Sequence, residues 1–259
     1  MREQGEIFTA VVTGVGRRRG IAAAVCRALV REGWHVSASG WPDYDSQAPW
    51  TDQALDDLRP LTKELQASGR FDWRPLDLSS PSAARELFES INDDGRSVAA
   101  LVVVHARSLA GGLLEVTPAE FDHHVAVNAR GTLLLIQEFA RRWRDDIGIG
   151  RILTFISSPP LGGELAYAAS KGALEWLTLS AAADLAPRGI TVNAIAPGPI
   201  DTGWMSAATE ARIRDTAPFG RAASPDDVAE LVAFLCSERG RGITGQVIHC
   251  DGGWSTLRG

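Results

Sequence analysis

Tyr167 and Lys171 are the residues whose types and spacing most directly suggest chemistry. They stand four residues apart, and on a helix that spacing puts both side chains on one face. A nearby ammonium group favours the ionised form of a phenol, so Lys171 is expected to lower the pKa of Tyr167 and to suit it to proton transfer near neutral pH. The pattern is loose, and for the pair alone two residues that merely share a helix face are the more frequent outcome.

A glycine-rich segment near the N-terminus has the features of a phosphate-binding turn. Gly14, Gly16 and Gly20 lie between a predicted strand that ends at Val12 and a predicted helix that begins at Ile21. Glycines let the backbone approach a pyrophosphate, and the first turn of the following helix offers unpaired N–H groups and a partial positive charge. A turn without a ligand is the alternative, but its place between strand and helix favours a dinucleotide site.

Charged residues near this turn indicate the type of dinucleotide. The arginines at 17–19 stand where the adenosine ribose would lie, and a 2′-phosphate needs such cations. The second predicted strand ends in Ser39-Gly40-Trp41 instead of an acid that would bind the ribose hydroxyls of NAD. We therefore expect NADP(H) to be favoured over NAD(H), although Asp43 and Asp45 follow and can partly supply the acid.

Short β-branched segments alternate with helical segments along the chain. Strands are predicted at 7–12, 35–39, 71–75, 98–104, 151–156, 191–195 and 246–250. Helices are predicted at 21–32, 51–67, 81–92, 118–144, 165–185 and 224–238, and 40–50 is expected to be a loop. Thr117 and Ser224 are predicted N-caps, each three residues before an acid. The alternation indicates an α/β fold: a single Rossmann-type, doubly wound parallel sheet of about seven strands with helices on both faces, forming one domain over 1–259.

Composition excludes several classes of partner. The net charge of −6 gives no reason to expect nucleic acid or an anionic membrane. No apolar segment approaches the roughly 20 residues that cross a bilayer, and the short charged N-terminus does not have the pattern of a signal peptide. Cys26, Cys236 and Cys250 are widely spaced, which favours reduced thiols and a cytoplasmic location. The histidines show no metal-ligand spacing, so no metal is expected.

The order of these motifs resembles the short-chain dehydrogenase/reductase family, and within it the 3-oxoacyl-[acyl-carrier-protein] reductase-like members. The motifs that carry the likeness are Thr13-Gly14 with Gly20, Asn128, a serine at a strand end, Tyr167 with Lys171, Pro197-Gly198, Thr244-Gly245-Gln246 and Asp251-Gly252-Gly253. The resemblance covers essentially the whole chain. It implies that Tyr167 is the general acid/base, that Lys171 binds the nicotinamide ribose, and that Asn128 holds a water of a proton relay.

The resemblance also implies a set of cofactor-binding residues. The glycine turn would contact the diphosphate. The end of the third strand would contact the adenine, and the segment after the sixth strand would contact the nicotinamide. Together with the arginines and the strand ends already described, the expected set is Gly14, Gly16, Arg17, Arg18, Arg19, Gly20, Ile21, Gly40, Trp41, Asp77, Leu78, His105, Ala106, Asn128, Tyr167, Lys171, Pro197, Gly198, Ile200 and Thr202. A short substrate loop is expected at about 199–223.

Two departures from the family pattern concern the cofactor side. Five residues separate Gly14 from Gly20 where the family usually has three. Val104-His105-Ala106-Arg107 stands where the family has Asn-Asn-Ala-Gly, so hydrogen bonding there is either lost or taken over. His105 is the candidate to replace it, although a single buried histidine more often has a purely structural role.

A third departure concerns the serine that would bind the substrate oxygen as charge builds on it. The family places this serine thirteen residues before the tyrosine, a position that is Thr154 here and lies inside the predicted strand. Counting from the start of the strand instead gives Ser157, and the loop at 159–163 is then about four residues shorter than usual. Ser157 is therefore expected to be the catalytic serine, with Ser158 as the alternative.

The implied reaction is the NADPH-dependent reduction of a ketone to a secondary alcohol, with a 3-oxoacyl or polyketide-type substrate, free or carrier-bound. Two alternatives stay open: an NAD-dependent alcohol dehydrogenase that works oxidatively, and a non-catalytic dinucleotide-binding or scaffold protein. The candidate substrate contacts are Pro159, Leu161, Trp204 and Met205, which could equally pack their loops on the body of the protein. The resemblance implies a homodimer or homotetramer, and the apolar helix at 174–185 suits a subunit interface.

Overall fold

Seven parallel strands form one sheet in the order β3-β2-β1-β4-β5-β6-β7. The computed structural model describes residues 7–47, 51–91, 96–148, 150–157, 162–202, 205 and 207–258. The strands are β1 (Thr9–Thr13), β2 (His35–Gly40), β3 (Phe71–Pro75), β4 (Val98–Val103), β5 (Gly150–Phe155), β6 (Ile190–Ala196) and β7 (Val247–His249). Each lies within two residues of its predicted limits, and the predicted α/β sheet with helices on both faces is confirmed.

The helices form a layer on each side of the sheet. They are α1 (Ile21–Arg31), α2 (Pro42–Gln47), α3 (Thr51–Gln66), α4 (Ala83–Ile91), α5 (Pro118–His124), α6 (Thr132–Arg142), α7 (Leu165–Leu185), α8 (Ala207–Thr216) and α9 (Pro225–Cys236). On one side α1 packs against α9 and α3, whereas on the other α6 packs against α4 and α7. The strands are covered on both faces, and most of their residues are buried.

The order of the strands places a crevice next to β1. The chain moves from β1 towards β2 and β3 in one direction, and then returns to place β4 on the other side of β1. Ligands of open parallel sheets bind outside the carboxyl ends of the strands at such a reversal. Thr13 and Val103, which end β1 and β4, are direct neighbours there.

The single helix predicted at 118–144 is wrong. A π-helical segment, Val125–Gly131, separates α5 from α6. Its extra residue per turn directs Asn128 into the protein, where the side chain is completely buried. Gly131 permits close packing, because a Cβ atom at this position would lie 2.8 Å from the carbonyl oxygen of Leu78.

The loop predicted at 40–50 is also wrong in part, since Pro42–Gln47 forms α2. Tyr44 holds this short helix to the body of the protein. Its hydroxyl donates to the carbonyl of Ser108 at 3.1 Å and accepts from the amide of Ser108 at 2.9 Å. A tertiary contact far along the chain therefore fixes a segment whose local composition is typical of a loop.

Within the described ranges, no helix has the length and hydropathy needed to cross a bilayer.

Candidate active site

A cleft of about 930 Å³ opens at the carboxyl ends of β1, β2 and β4. Most residues expected to bind the cofactor line it: Gly14, Gly16, Arg17, Gly20, Ile21, Gly40, Trp41, Asp77, Leu78, His105, Ala106, Tyr167, Pro197, Gly198, Ile200 and Thr202. Ser157 and Met205 line it as well. The order of motifs in the sequence thus corresponds to one continuous surface in the folded chain.

The glycine turn is shaped by close contacts that no larger residue would allow. Gly14 has a φ of +80°, and a Cβ atom there would lie 2.6 Å from the amide nitrogen of His105. A Cβ at Gly40 would lie 2.3 Å from the carbonyl oxygen of Val15. Helix α1 follows with Gly20 as an N-cap that makes no side-chain hydrogen bond. The first amides of α1 are therefore left to a ligand or to water.

Among the described residues, two buried polar atoms around the cleft have no hydrogen-bond partner: Oγ of Ser39 and Nε of Arg107. Both residues line the cleft, Ser39 near the end of β2 and Arg107 after β4. Buried polar groups are nearly always satisfied, so an exception at a cleft points to a ligand that completes it. The glycine turn, the free helix N-terminus and these two atoms fit a dinucleotide with its ribose and phosphate oxygens.

The three consecutive arginines do not act as one cluster, which corrects the expectation for two of them. Arg17 lines the cleft, whereas Arg18 and Arg19 line a second cavity of about 770 Å³ on the other side of the turn. Arg18 lies 3.5 Å from Glu64, a carboxylate that also accepts from Nε of Arg27 at 2.6 Å. Two extra residues in the turn are enough to carry neighbouring side chains to opposite sides.

An acid also faces the glycine turn. Asp45 belongs to α2 and lines the cleft. One of its carboxylate oxygens would lie 2.0 Å from a Cβ atom built on Gly16. Burial raises the pKa of Asp45, and the nearby Arg17 guanidinium opposes that rise. Asp45 therefore lies close to Arg17, on the part of the cleft where an adenosine ribose is expected.

Tyr167 and Ser157 both line the cleft. The pKa of Tyr167 is raised to about 12, mainly by burial and next by the carboxylate of Glu164, while the nearby Ser157 hydroxyl opposes the rise. The two hydroxyls that would bind a carbonyl oxygen therefore lie close to each other. Ser158, the alternative serine, lies outside the described residues, as do Pro159, Leu161 and Trp204.

Lys171 does not lower the pKa of Tyr167 in this structure, so that expectation is wrong here. Its ammonium lies 5.8 Å from the centre of the Tyr167 ring and donates to the carbonyl of Phe155 at 2.6 Å. The side chain is 3% exposed, and burial lowers the pKa of Lys171 to about 7. A carbonyl at the end of β5, more than the phenol, determines where the amine lies.

His105 takes over the hydrogen bonding that the altered segment after β4 was expected to lose. Its Nδ1 lies 2.8 Å from the hydroxyl of Thr13, and its Nε2 lies 3.0 Å from the carbonyl of Val127. A neutral ring with the proton on Nε2 satisfies both contacts, because it accepts from Thr13 and donates to Val127. Burial lowers the pKa of His105 to about 4, with Lys171 adding to the effect. The histidine thus links β1, β4 and the π-helical segment.

Asn128 holds the segment after β4, and the water-binding role that the resemblance implied stays a prediction. Its Oδ1 accepts from the amide of Arg107 at 2.7 Å, and its Nδ2 donates to the carbonyl of Arg107 at 2.9 Å. The second proton on Nδ2 goes to the hydroxyl of Ser170 at 2.8 Å. Both amide protons are used within the protein, so they are not available to a water molecule.

Among the cleft residues for which no site role was predicted from the sequence are Tyr44, Arg107, Ser108 and Glu164. Arg107 was recognised as a departure from the family motif, but without a role. The structure pairs it with Glu120 at 3.0 Å and places it 5.8 Å from the centre of the Tyr44 ring. The rarity of tyrosine could have drawn attention to Tyr44, because the chain contains 2 tyrosines in all. Across the parts that the structure describes, no group of three or more potential metal ligands is found.

Comparison with known proteins agrees with this geometry. A family model described as enoyl-(acyl carrier protein) reductase matches residues 14–255. The uncharacterized oxidoreductase YjdA of Bacillus subtilis is 36% identical over 95% of this chain and 96% of its own. An NADPH-dependent aldehyde reductase-like protein from Arabidopsis thaliana is 31% identical over 95% of this chain and 93% of its own.

A solved structure shares the whole architecture. The short-chain dehydrogenase/reductase from Serratia marcescens superimposes with a TM-score of 0.82 and 29% identity, over 97% of this chain and 98% of that one. The cleft, the paired hydroxyls and these similarities lead to one assignment. The chain belongs to the short-chain dehydrogenase/reductase family and is an NAD(P)-dependent oxidoreductase.

Proposed function

We propose that the protein reduces a ketone to a secondary alcohol with NADPH. The observation that carries this proposal is that Ser157 and Tyr167 line the same cleft as the glycine turn, with the Ser157 hydroxyl close enough to the phenol to lower its pKa. Both hydroxyls can point at one carbonyl oxygen, while the turn and the start of α1 hold the phosphates at the far end. The segment at about 199–223, expected from the sequence to be a short loop, contains helix α8, and Met205 before this helix lines the cleft, where it would cover the substrate.

Tyr167 is suited to donate a proton at neutral pH. Bound NADPH supplies the hydride that adds to the carbonyl carbon. Ser157 donates a hydrogen bond to the carbonyl oxygen and stabilises the negative charge that develops on it. Tyr167, whose pKa of about 12 keeps it protonated at neutral pH, passes its proton to the same oxygen. Water in the cleft then returns a proton to Tyr167, whose ring centre lies 5.8 Å from the ammonium of Lys171.

Replacement of Tyr167 tests this mechanism. Tyr167→Phe removes the proton donor and keeps the ring, so kcat/KM for ketone reduction should fall about 100-fold or more. The dissociation constant for NADPH, measured by fluorescence titration, should change little, because the phosphate-binding turn is untouched. Ketone reduction at the wild-type rate in this variant would refute the proposed role.

Arg17 and Ser39 support NADP(H) as the cofactor. Arg17 provides a cation on the adenosine side of the cleft, and the unpaired hydroxyl of Ser39 provides a donor beside it. The Arabidopsis relative is named as NADPH-dependent, which agrees with this choice. Asp45 favours NAD(H) instead, because a carboxylate next to the glycine turn can accept from ribose hydroxyls and repels a 2′-phosphate.

Two substitutions separate these possibilities. Arg17→Ala should weaken NADPH binding about tenfold and leave NADH binding nearly unchanged, since a charge-assisted hydrogen bond to phosphate is lost. Asp45→Asn should act in the opposite direction and strengthen NADPH binding. If wild-type protein binds NADH more tightly than NADPH in the same titration, the oxidative NAD-dependent alternative is the better assignment.

We further propose that the protein is a homodimer or homotetramer of single-domain subunits with a cytoplasmic location. Helix α7 presents an exposed stripe of apolar and small residues, at Leu165, Ala169, Gly172, Ala173 and Trp176, that no described part of the chain covers. Leu165 and Trp176 are 38% and 72% exposed. The three cysteines are free thiols, which agrees with a reducing compartment.

A further inference from the structure

Glu164 stands directly before α7 on a rigid piece of backbone. The amide of Gly111 donates to the carbonyl of Gly163 at 2.7 Å, and the amide of Leu165 donates to the carbonyl of Gly111 at 3.1 Å. The carbonyl of Glu164 also accepts from the amide of Ala168 at 2.9 Å, as part of the first turn of α7. These bonds on both sides of Glu164 fix the point from which its side chain starts.

The carboxylate of Glu164 lies at the reactive end of the cleft. Glu164 lines the cleft with Tyr167 and Ser157, and its charge is close enough to Tyr167 to raise the pKa of the phenol. The hydroxyl of Ser108 donates to it at 3.5 Å, which is a long and weak hydrogen bond. A carbonyl bound by Tyr167 and Ser157 would therefore have its neighbouring carbon atoms close to this carboxylate.

Within the described ranges, no cation lies within ion-pair distance of Glu164. Arg107, which also lines the cleft, is matched by Glu120 at 3.0 Å, and Lys171 is directed at Phe155. A half-buried carboxylate without a full set of donors is costly unless a ligand supplies them. Donors on a ligand would be hydroxyl or ammonium groups, whereas a carboxylate or phosphate at the same place would be repelled.

We propose that Glu164 is a specificity-determining residue that accepts a hydrogen bond from a hydroxyl or ammonium group on the carbon next to the substrate carbonyl. The enzyme then prefers α-hydroxy and α-amino ketones to unsubstituted ketones, and it discriminates against 2-oxo acids. This inference rests on the proposed reductase function and deepens it, because it names the substrate class of the same site. It also disfavours substrates that carry an anionic group immediately beside the ketone.

Three aryl ketones of nearly equal size test the preference: 2-hydroxyacetophenone, propiophenone and phenylglyoxylate. They share a phenyl ketone and carry a hydroxymethyl, an ethyl and a carboxylate group, respectively. In the wild type, kcat/KM with NADPH should be highest for 2-hydroxyacetophenone and lowest for phenylglyoxylate. Glu164→Gln should lower the ratio of 2-hydroxyacetophenone to propiophenone about tenfold, which is the value of a hydrogen bond to a charged acceptor, and should raise kcat/KM for phenylglyoxylate.

Glu175→Gln is the matched control. It removes the same charge from within α7, the helix that Glu164 precedes, but Glu175 does not line the cleft, so both ratios should stay as in the wild type. A ratio that is equal in the wild type and in Glu164→Gln overturns the specificity proposal and leaves the reductase function standing. Failure of the wild type to reduce either neutral ketone overturns both.

A titration of Tyr167, which needs no catalytic turnover, tests whether the carboxylate of Glu164 lies near the phenol. In a Tyr44→Phe background Tyr167 is the remaining tyrosine of the chain, so its ionisation can be followed by tyrosinate absorbance after rapid pH jumps. The groups that face it are Glu164, Ser157 and Lys171, and Glu164→Gln changes one of them. Its pKa should fall in Glu164→Gln and not in Glu175→Gln. An unchanged pKa would show that the carboxylate lies elsewhere and would overturn the proposal.

Discussion

At the scale of single residues, burial controls how the two central side chains ionise. The pKa of Tyr167 is raised to about 12, and that of Lys171 is lowered to about 7. For both groups the largest cause is the loss of water around the charged form. The spacing of the pair was visible in the sequence, and so was its helix. Its electrostatics were not, because they depend on Glu164, on the Phe155 carbonyl and on the depth of the cleft.

The ionisation of Lys171 makes the stability of the protein depend on pH. Between pH 7 and 10.5 the unfolded chain still holds the lysine proton and the folded chain has released it, so the free energy of unfolding should rise with pH across this interval. The contribution has a slope of up to about 1.4 kcal/mol per pH unit. In Lys171→Met this contribution is gone, and urea unfolding at pH 7 and pH 9.5 should show a smaller rise than in the wild type.

Lys63→Met provides the comparison for that measurement. Lys63 is an exposed lysine on α3, so its removal should leave the pH dependence of unfolding unchanged. Other buried groups titrate in the same range, Cys26 among them, but they are common to all three proteins and cancel in the differences. Equal slopes in the wild type and in Lys171→Met would mean that the buried amine keeps its ordinary pKa.

At the scale of elements, the π-helical segment is what holds the segment after β4 in place. Asn128 binds both backbone polar groups of Arg107 and reaches Ser170 on α7, so one side chain connects three parts of the site. Asn128→Ala would leave the amide and the carbonyl of Arg107 without these partners. The free energy of unfolding should fall by about 2–4 kcal/mol in urea titrations.

Asn128→Asp distinguishes this hydrogen-bonding role from simple filling of space. The carboxylate has nearly the same volume and can accept from the Arg107 amide, but it cannot donate to the carbonyl of Arg107 or to Ser170. The Asn128→Asp variant should therefore lose about as much stability at pH 8 as Asn128→Ala. Wild-type stability in Asn128→Asp would contradict the contacts described here.

Local signals predicted elements well where the element depends on its own residues. Ser224 begins a complete capping box with Asp227 before α9, as its sequence indicates. Thr117 accepts from the amide of Glu120 before α5, but the carboxylate of Glu120 is bonded to Arg107 and does not return to the cap. Helix α2 and the π-helical segment could not be predicted, because Tyr44 and Asn128 find their partners far along the chain.

At the scale of the whole molecule, the exposed face of α7 has a consequence for assembly. Leu165 and Trp176 are eleven residues apart, which is close to three full helical turns, so they lie on one line along α7. Trp176→Glu places a charge on this line and should convert the oligomer to monomers in analytical ultracentrifugation. The expected cause is the cost of burying an unpaired carboxylate between subunits.

Phe219→Glu is a suitable control for that experiment, because Phe219 is 71% exposed but lies beside Gly252, away from α7. Its assembly state should remain that of the wild type. A wild type that sediments as a monomer, or a Trp176→Glu variant that stays oligomeric, would show that the α7 face is not a subunit interface.

The positions of most site residues could be anticipated from the order of motifs, since each follows a strand and parallel strands end at the same edge of the sheet. The separation of Arg17 from Arg18 and Arg19 could not be, because it depends on the path of a lengthened turn. Glu164 could not be recognised either. Its role comes from the direction in which the chain enters α7, which no local pattern records.

The parallel sheet also governs how the site comes into being during synthesis. Neighbouring parallel strands cannot form hairpins, so every pairing requires a crossover. Thr9 of β1 pairs with Val98 of β4. The second neighbour of β1 is therefore synthesised only after nearly a hundred residues. Tyr167 and Gly198 lie beyond that point, in the part of the chain that leaves the ribosome later. A nascent chain therefore contains the residues of the phosphate-binding turn well before it contains the proton donor.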